Sequence, residues 1–211
     1  EITTRLVGSE MCIRDSNSGV HPLVMEALSR ANADHALGYG DDQWTEEAVA
    51  KIKETFTPDC VPLFVFNGTG SNVVALQVMT RPYHSIFCAE TAHIYVDECG
   101  SPVKMTGCQI RPIATSDGKL TPELMQPYLH GFGDQHHSQP RALYISQCTE
   151  LGTIYTPEEL KRLTDFAHLN GMYVHMDGAR IANACAALHL SLKELTVDLS
   201  LIHISEPTRR V

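Results

Sequence analysis

From residue 18 onward, short apolar runs alternate with longer stretches of helical period. Residues 62–66, 85–88, 108–113, 142–145 and 172–176 are each four to six residues long and rich in apolar, β-branched or aromatic side chains. Such runs, too short for helices, read as strands buried on both faces. Between them, Leu23, Ala27, Leu28 and Ala31 fall on one helical face, as do Trp44, Ala48, Val49, Ile52 and Phe56. Residues 73–79, 181–188 and 192–195 add short apolar helices, and Leu160, Leu163, Phe166 and Ala167 give another its buried stripe. That last helix opens on Thr156-Pro157-Glu158-Glu159, a capping box with proline at the first helical position, and stops at Gly171. Thr121-Pro122-Glu123 starts a shorter one. Strands separated by helices, on connections too long for hairpins, predict an α/β fold with a mainly parallel sheet covered on both faces. The handedness of such connections then brings the strand carboxyl ends to one edge.

Polar residues gather at that edge. Residues 67–72 read Asn-Gly-Thr-Gly-Ser-Asn, and Glu90 to His93, Gln147 to Glu150, and Asp177 to Arg180 follow the other strands. Glycines before a helix let the backbone approach an anion, and the helix start presents N–H groups and a favourable dipole. The 67–72 segment has neither the Walker nor the GxGxxG spacing, so a plain tight turn and a phosphate site both fit it. Glu90, His93 and Asp97 share a helical face, but no second ExxH or nearby HxxxH completes a metal set, and no metal is expected. His130, His136 and His137 lie in a polar stretch that reads as a mobile surface loop.

Composition narrows the partners. The chain has 211 residues, 43% of them hydrophobic, with a formal net charge of −9 and a pI near 5.6. An acidic chain of this kind does not suit nucleic acid or an anionic membrane as its main partner. Seven scattered cysteines without a CxxC pair suggest reduced thiols and a cytoplasmic location. No apolar run approaches a membrane span, and residues 1–20 lack the apolar centre of a signal peptide. Residues 7–15 resemble a translated sequencing adapter, and the far end is similar in kind. Residues 1–15 and 198–211 are therefore set aside as a non-native leader and tail, leaving residues 16–197 as the domain.

A phosphate cradle, an imidazole and a carboxylate beside an arginine suit a flat, charged, phosphorylated ligand, and pyridoxal 5'-phosphate fits all three. At this point the motifs meet a family. Ser18-Gly19-Val20-His21-Pro22, Tyr39-Gly40-Asp41-Asp42, Phe66-Asn67-Gly68-Thr69, Ala89-Glu90-Thr91-Ala92-His93-Ile94, Gln147-Cys148-Thr149-Glu150-Leu151-Gly152-Thr153 and His175-Met176-Asp177-Gly178-Ala179-Arg180 occur in this order. The chain resembles the low-specificity L-threonine aldolases, in the aromatic amino acid β-eliminating lyase/threonine aldolase group of fold-type I pyridoxal phosphate enzymes. The resemblance implies a three-layer large domain, incomplete at its C-terminus, and a homo-oligomer, dimer or tetramer. It implies that Gly68 and Thr69 hold the cofactor phosphate and that His93 lies on the ring face and acts as the base. Asp177 would pair with the pyridinium nitrogen, and Arg180 would sit by the phenolic oxygen and the substrate carboxylate. Tyr39 is implied to reach a neighbouring subunit's site.

The implied reaction cleaves a β-hydroxy-α-amino acid, threonine or allo-threonine, to glycine and an aldehyde. Two departures stand out. Arg14 precedes the first aspartate where relatives carry serine, and the family's cofactor-anchoring lysine lies one strand beyond the Asp-Gly-Ala-Arg segment. The lysines here are Lys51, Lys53, Lys104, Lys119, Lys161 and Lys193, and none follows a strand in that position. The chain is expected to be an inactive fragment of a complete enzyme. The other readings are a non-catalytic truncated chain and a metal-dependent phosphohydrolase built on Asp177.

Overall fold

The computed structural model describes residues 20–199 and the backbone of 203–205. The expectations for residues 1–15, including Arg14, and for most of 198–211 lie outside the described residues. The described residues fall into two compact units, one of residues 20–51 and the other of residues 52–199 with the backbone of 203–205.

Eight α-helices and five strands are described. The helices are α1 (Pro22–Ala31), α2 (Gln43–Thr55), α3 (Gly68–Met79), α4 (His93–Val96), α5 (Ser101–Thr106), α6 (Pro122–Met125), α7 (Pro157–Leu169) and α8 (Ile181–Leu188). On α2 the predicted face, Trp44, Ala48, Val49, Ile52 and Phe56, is the half-buried one. The strands are β1 (His84–Ala89), β2 (Gln109–Ile113), β3 (Gln139–Ser146), β4 (Tyr173–Asp177) and β5 (His203–Ser205). They form one sheet of order β2-β1-β3-β4-β5, with every neighbouring pair parallel. The chain moves outward from β1 to β2, then returns to the other side of β1 for β3. That reversal opens a crevice at the strand carboxyl ends.

Prolines sit where the ladder tolerates a missing donor. Pro112 is on the edge strand β2, and Pro140 opposes Ser85, next to a shift in the β1–β3 register. β5 arises within the stretch set aside as a tail. The outer edge of β4 presents a row of backbone donors and acceptors, and any extended segment within reach can satisfy them.

Period-two alternation divides the strand side chains between two faces. One face carries Phe87, Ala89, Leu143, Ile145, Val174 and Met176, packed with Leu160, Leu163 and Ala167 of α7 and Ile181 and Ala184 of α8. The capping box of α7 forms as predicted: Glu159 N donates to Thr156 Oγ1 at 3.3 Å and Thr156 N donates to Glu159 Oε2 at 2.8 Å. Gly171 takes φ 68°, which lets the chain turn from α7 into β4. The second face carries Ile86, Cys88, Ala142 and Tyr144, packed with Leu76 and Met79 of α3 and Ile94 of α4. Gln77 Nε2 donates to Met105 O at 2.8 Å, tying α3 to α5.

One predicted strand is absent. Residues 62–66 have no strand assignment, and Leu63 and Phe66 are 70% and 99% exposed. An apolar run becomes a buried strand only beside a sheet edge, and no described strand pairs with this one. The 130–140 stretch is a surface loop, as expected. Gln139 Nε2 donates to the carbonyls of Gly131, Asp134 and His137, gathering the loop onto the start of β3.

Candidate functional site

The site is built from the residue that starts α3 inward. Asn67 caps the helix, its Oδ1 accepting from Gly70 N at 2.8 Å. A Cβ on Gly70 would come within 3.2 Å of that oxygen, so glycine lets the cap close. The helix begins five residues earlier than the 73–79 span predicted, and Gly68 and Thr69 form its first turn instead of a preceding loop. Their N–H groups have no acceptor within the helix. A Cβ on Gly68 would meet nothing within 4 Å, so the approach is open. One turn further along the same face stands Asn72, which is buried.

Asn72 reaches Asp177, the last residue of β4. Its Nδ2 donates to Asp177 Oδ2 at 3.3 Å, and the Tyr144 hydroxyl donates to the same oxygen at 2.8 Å. Ala179 N donates to Asp177 Oδ1 at 2.9 Å. Burial pushes the Asp177 carboxyl up, but the Ala179 N–H, the Tyr144 hydroxyl, the neighbouring His175 and Asn72 outweigh it and hold it below its usual range. Asp177 is thus a carboxylate kept ionised although only 8% exposed. The same charge works in reverse on Tyr144, whose phenol is driven well above its usual range by burial and by the charges of Asp177 and Glu150.

Donor and acceptor rules orient the amide. Asn72 Nδ2 also donates to Glu98 Oε1 at 2.7 Å, so its NH₂ faces two carboxylates. Its Oδ1 therefore faces His175 Nε2 at 2.8 Å and needs a proton there. The same Glu98 oxygen lies 2.9 Å from His93 Nδ1. Glu98 is buried, its Oε2 has no hydrogen-bond partner among the described residues, and the His93 side chain keeps 18% of its surface exposed. His93 and Asp177 are joined by one line of contacts through Glu98 and Asn72.

Arg180, just before α8, turns back toward the loop after β3. Its Nε and Nη2 donate to Cys148 O at 3.1 and 3.0 Å, and Nη2 also meets Glu150 Oε1 at 3.2 Å. Ser146 Oγ donates to that Glu150 oxygen at 2.7 Å. Its remaining nitrogen, Nη1, makes no hydrogen bond among the described residues.

The structure thus joins His93, Asp177 and the α3 start that carries Gly68 and Thr69, and it holds Arg180 through Glu150. Other members of the predicted rim have structural jobs. Gln147 exchanges hydrogen bonds with the Tyr155 backbone, Thr149 pairs with Thr153, and Glu90 is exposed. Tyr39 lies in the other unit, fully exposed, with φ 67°. Sequence reasoning missed Tyr144, His175 and Glu98. Tyr144 and His175 fall on the second face by period two, a signal legible within β3 and β4. The lysines of this unit are engaged or placed elsewhere: Lys119 with Glu159, Lys161 with Asp165, Lys193 near Asp198, while Lys53 is half-buried on α2 and Lys104 is exposed. Among the described residues no group of three or more His, Cys, Asp or Glu could hold a metal ion, and no helix is long and apolar enough to cross a membrane.

A parallel α/β unit with an open helix start and a buried carboxylate at a strand end can receive an anion at the first and a hydrogen-bond donor at the second. The family model for beta-eliminating lyases matches residues 13–205, and the chain belongs to that family. It is similar to the low-specificity L-threonine aldolase of Pseudomonas aeruginosa, 42% identical over 183 residues that make up 86% of this chain and 53% of that protein. The corresponding protein of a Pseudomonas species is 40% identical over 189 residues, 89% of this chain and 55% of the relative. A solved threonine aldolase from Leishmania major superposes with a TM-score of 0.79 at 31% identity, covering 84% of this chain and 53% of that one. The chain spans about half the length of the curated relatives it matches.

Proposed function

We propose that the whole protein carrying this chain is a pyridoxal phosphate-dependent lyase that cleaves threonine or a related β-hydroxy-α-amino acid to glycine and an aldehyde. The observation that carries it is the state of Asp177. A carboxylate offers about four acceptor positions, and three donors occupy them here, two on Oδ2 and one on Oδ1. One position on Oδ1 remains for a further donor, and the carboxylate is held ionised to receive it. A protonated ring nitrogen is such a donor. The open N–H groups of Gly68 and Thr69 suit a phosphate, and His93, partly exposed, suits a ring face.

When bound, the cofactor supplies an electron-withdrawing ring for the bond that breaks. The protein's residues do the rest. Asp177, held by Asn72, Tyr144 and the Ala179 N–H, would accept from the ring nitrogen. Arg180, braced by Cys148 O and Glu150, offers Nη1 to the substrate carboxylate and the phenolic oxygen. His93 takes the β-hydroxyl proton at Nε2, the ring nitrogen that does not face Glu98. No lysine stands among these residues, so the covalent anchor of the family is assigned to a segment outside this chain, and the 211-residue chain alone is assigned no turnover. A homo-oligomeric state and a cytoplasmic location belong to the same proposal, the first resting on the family resemblance and the second on seven scattered cysteines without a CxxC pair.

The test is direct. The whole protein, purified, shows a visible cofactor absorbance that borohydride bleaches, and it releases acetaldehyde from threonine. Absence of both signals on the whole protein overturns the reading. Acetaldehyde release by the 211-residue chain alone overturns the assignment of the anchor.

A further inference from the structure

The line of contacts behind His93 runs through a carboxylate that the proposed reaction does not use. Glu98 is 3% exposed and lies five residues past His93, across the short α4. An ionised carboxylate only accepts hydrogen bonds. Asn72 Nδ2 and His93 Nδ1 both point at its Oε1, at 2.7 and 2.9 Å. The direction of the amide is fixed from the other side, because the same Nδ2 also faces Asp177. Asn72 is therefore a donor to Glu98, not an acceptor, and it holds Oε1 in place for the imidazole.

We infer that Glu98 is the positioning residue of His93, fixing the neutral ring as the Nδ1–H tautomer and so leaving Nε2 as its proton-accepting nitrogen. The inference rests on the lyase reading for its meaning but not for its geometry. Which nitrogen of a histidine carries the proton is set by the partner of the other. Without Glu98 a neutral imidazole distributes its proton between both nitrogens, and only one of the two forms can accept a proton at Nε2. With Glu98 in place, the proton from the substrate hydroxyl passes from oxygen to Nε2. The imidazolium so formed faces the buried Glu98 carboxyl across Nδ1. Asn72 couples the arrangement to Asp177, so the base and the ring-nitrogen partner are set in register by one side chain from α3.

The tautomer can be read without turnover. The cofactor-free whole protein, labelled with ¹⁵N-histidine, is examined at alkaline pH by long-range ¹H–¹⁵N correlation, and His93 is assigned through the His93→Gln variant. The expected spectrum shows a protonated Nδ1 and an unprotonated Nε2. A protonated Nε2 in the unmutated protein overturns the inference, and this outcome does not depend on any variant folding. Glu98→Gln keeps an acceptor oxygen and is expected to keep the Nδ1–H form, whereas Glu98→Ala is expected to give mixed tautomers. Glu98→Ala is also expected to lower kcat by about tenfold or more with KM little changed, a part of the usual general-base contribution. An unaltered tautomer in Glu98→Ala overturns the inference too. If threonine is cleaved while Nε2 carries the proton, this inference fails and the lyase reading stands. If the tautomer is as expected but no cleavage or cofactor absorbance occurs, the lyase reading fails alone.

Discussion

The two faces of the sheet do different work with the same strands. The face under α7 and α8 is apolar through its buried part, with Leu143, Ile145, Val174 and Met176 of the central strands all buried there. The face under α3 is apolar only toward the strand starts. At the carboxyl ends it carries Tyr144, His175 and Asp177, which meet Asn72. Alternate residues of β3 and β4 thus send packing to one side and chemistry to the other. Polar groups are tolerated in that second interior because each donor named here finds an acceptor, which removes most of the cost of burying them.

This difference can be broken by substitution. On the aliphatic face, Leu160→Ala removes a fully buried side chain and leaves a cavity. It is expected to cost about 2–5 kcal/mol, read from the urea midpoint of the whole protein, with cofactor affinity in the folded fraction unchanged. A matching loss of cofactor affinity would mean the two faces are not separable. A smaller effect comes from the cap of α7. Thr156→Ala removes the hydroxyl that receives Glu159 N and is expected to cost about 1 kcal/mol, again without a change at the site. Both measurements set the scale against which polar-face substitutions are judged.

The sequence showed the aliphatic face more fully than the polar one. Helical stripes and a capping box are local patterns, and α7 appears where Thr156 and Gly171 bound it. Asp177, Arg180 and His93 were legible because they follow strands, where charge collects in a parallel sheet. Glu98 was not, since Asp97 and Glu98 are adjacent carboxylates of the same character and only the turn of α4 buries one and exposes the other. Residues 62–66 misled for the opposite reason. Their apolar content is that of a buried strand, but burial requires a neighbouring edge that no local pattern reports. β5 shows the converse, three residues paired with β4 because an edge was there to receive them.

The central claim is that the polar face exists to keep Asp177 negative for a protonated ring. Equilibrium binding of pyridoxal phosphate to the cofactor-free whole protein tests it most directly, comparing the unmutated protein with Asp177→Ala. Removing a buried, hydrogen-bonded charge from its partner costs about 2–5 kcal/mol, so affinity is expected to fall by roughly a hundredfold. Equal affinity in the two proteins would contradict the account.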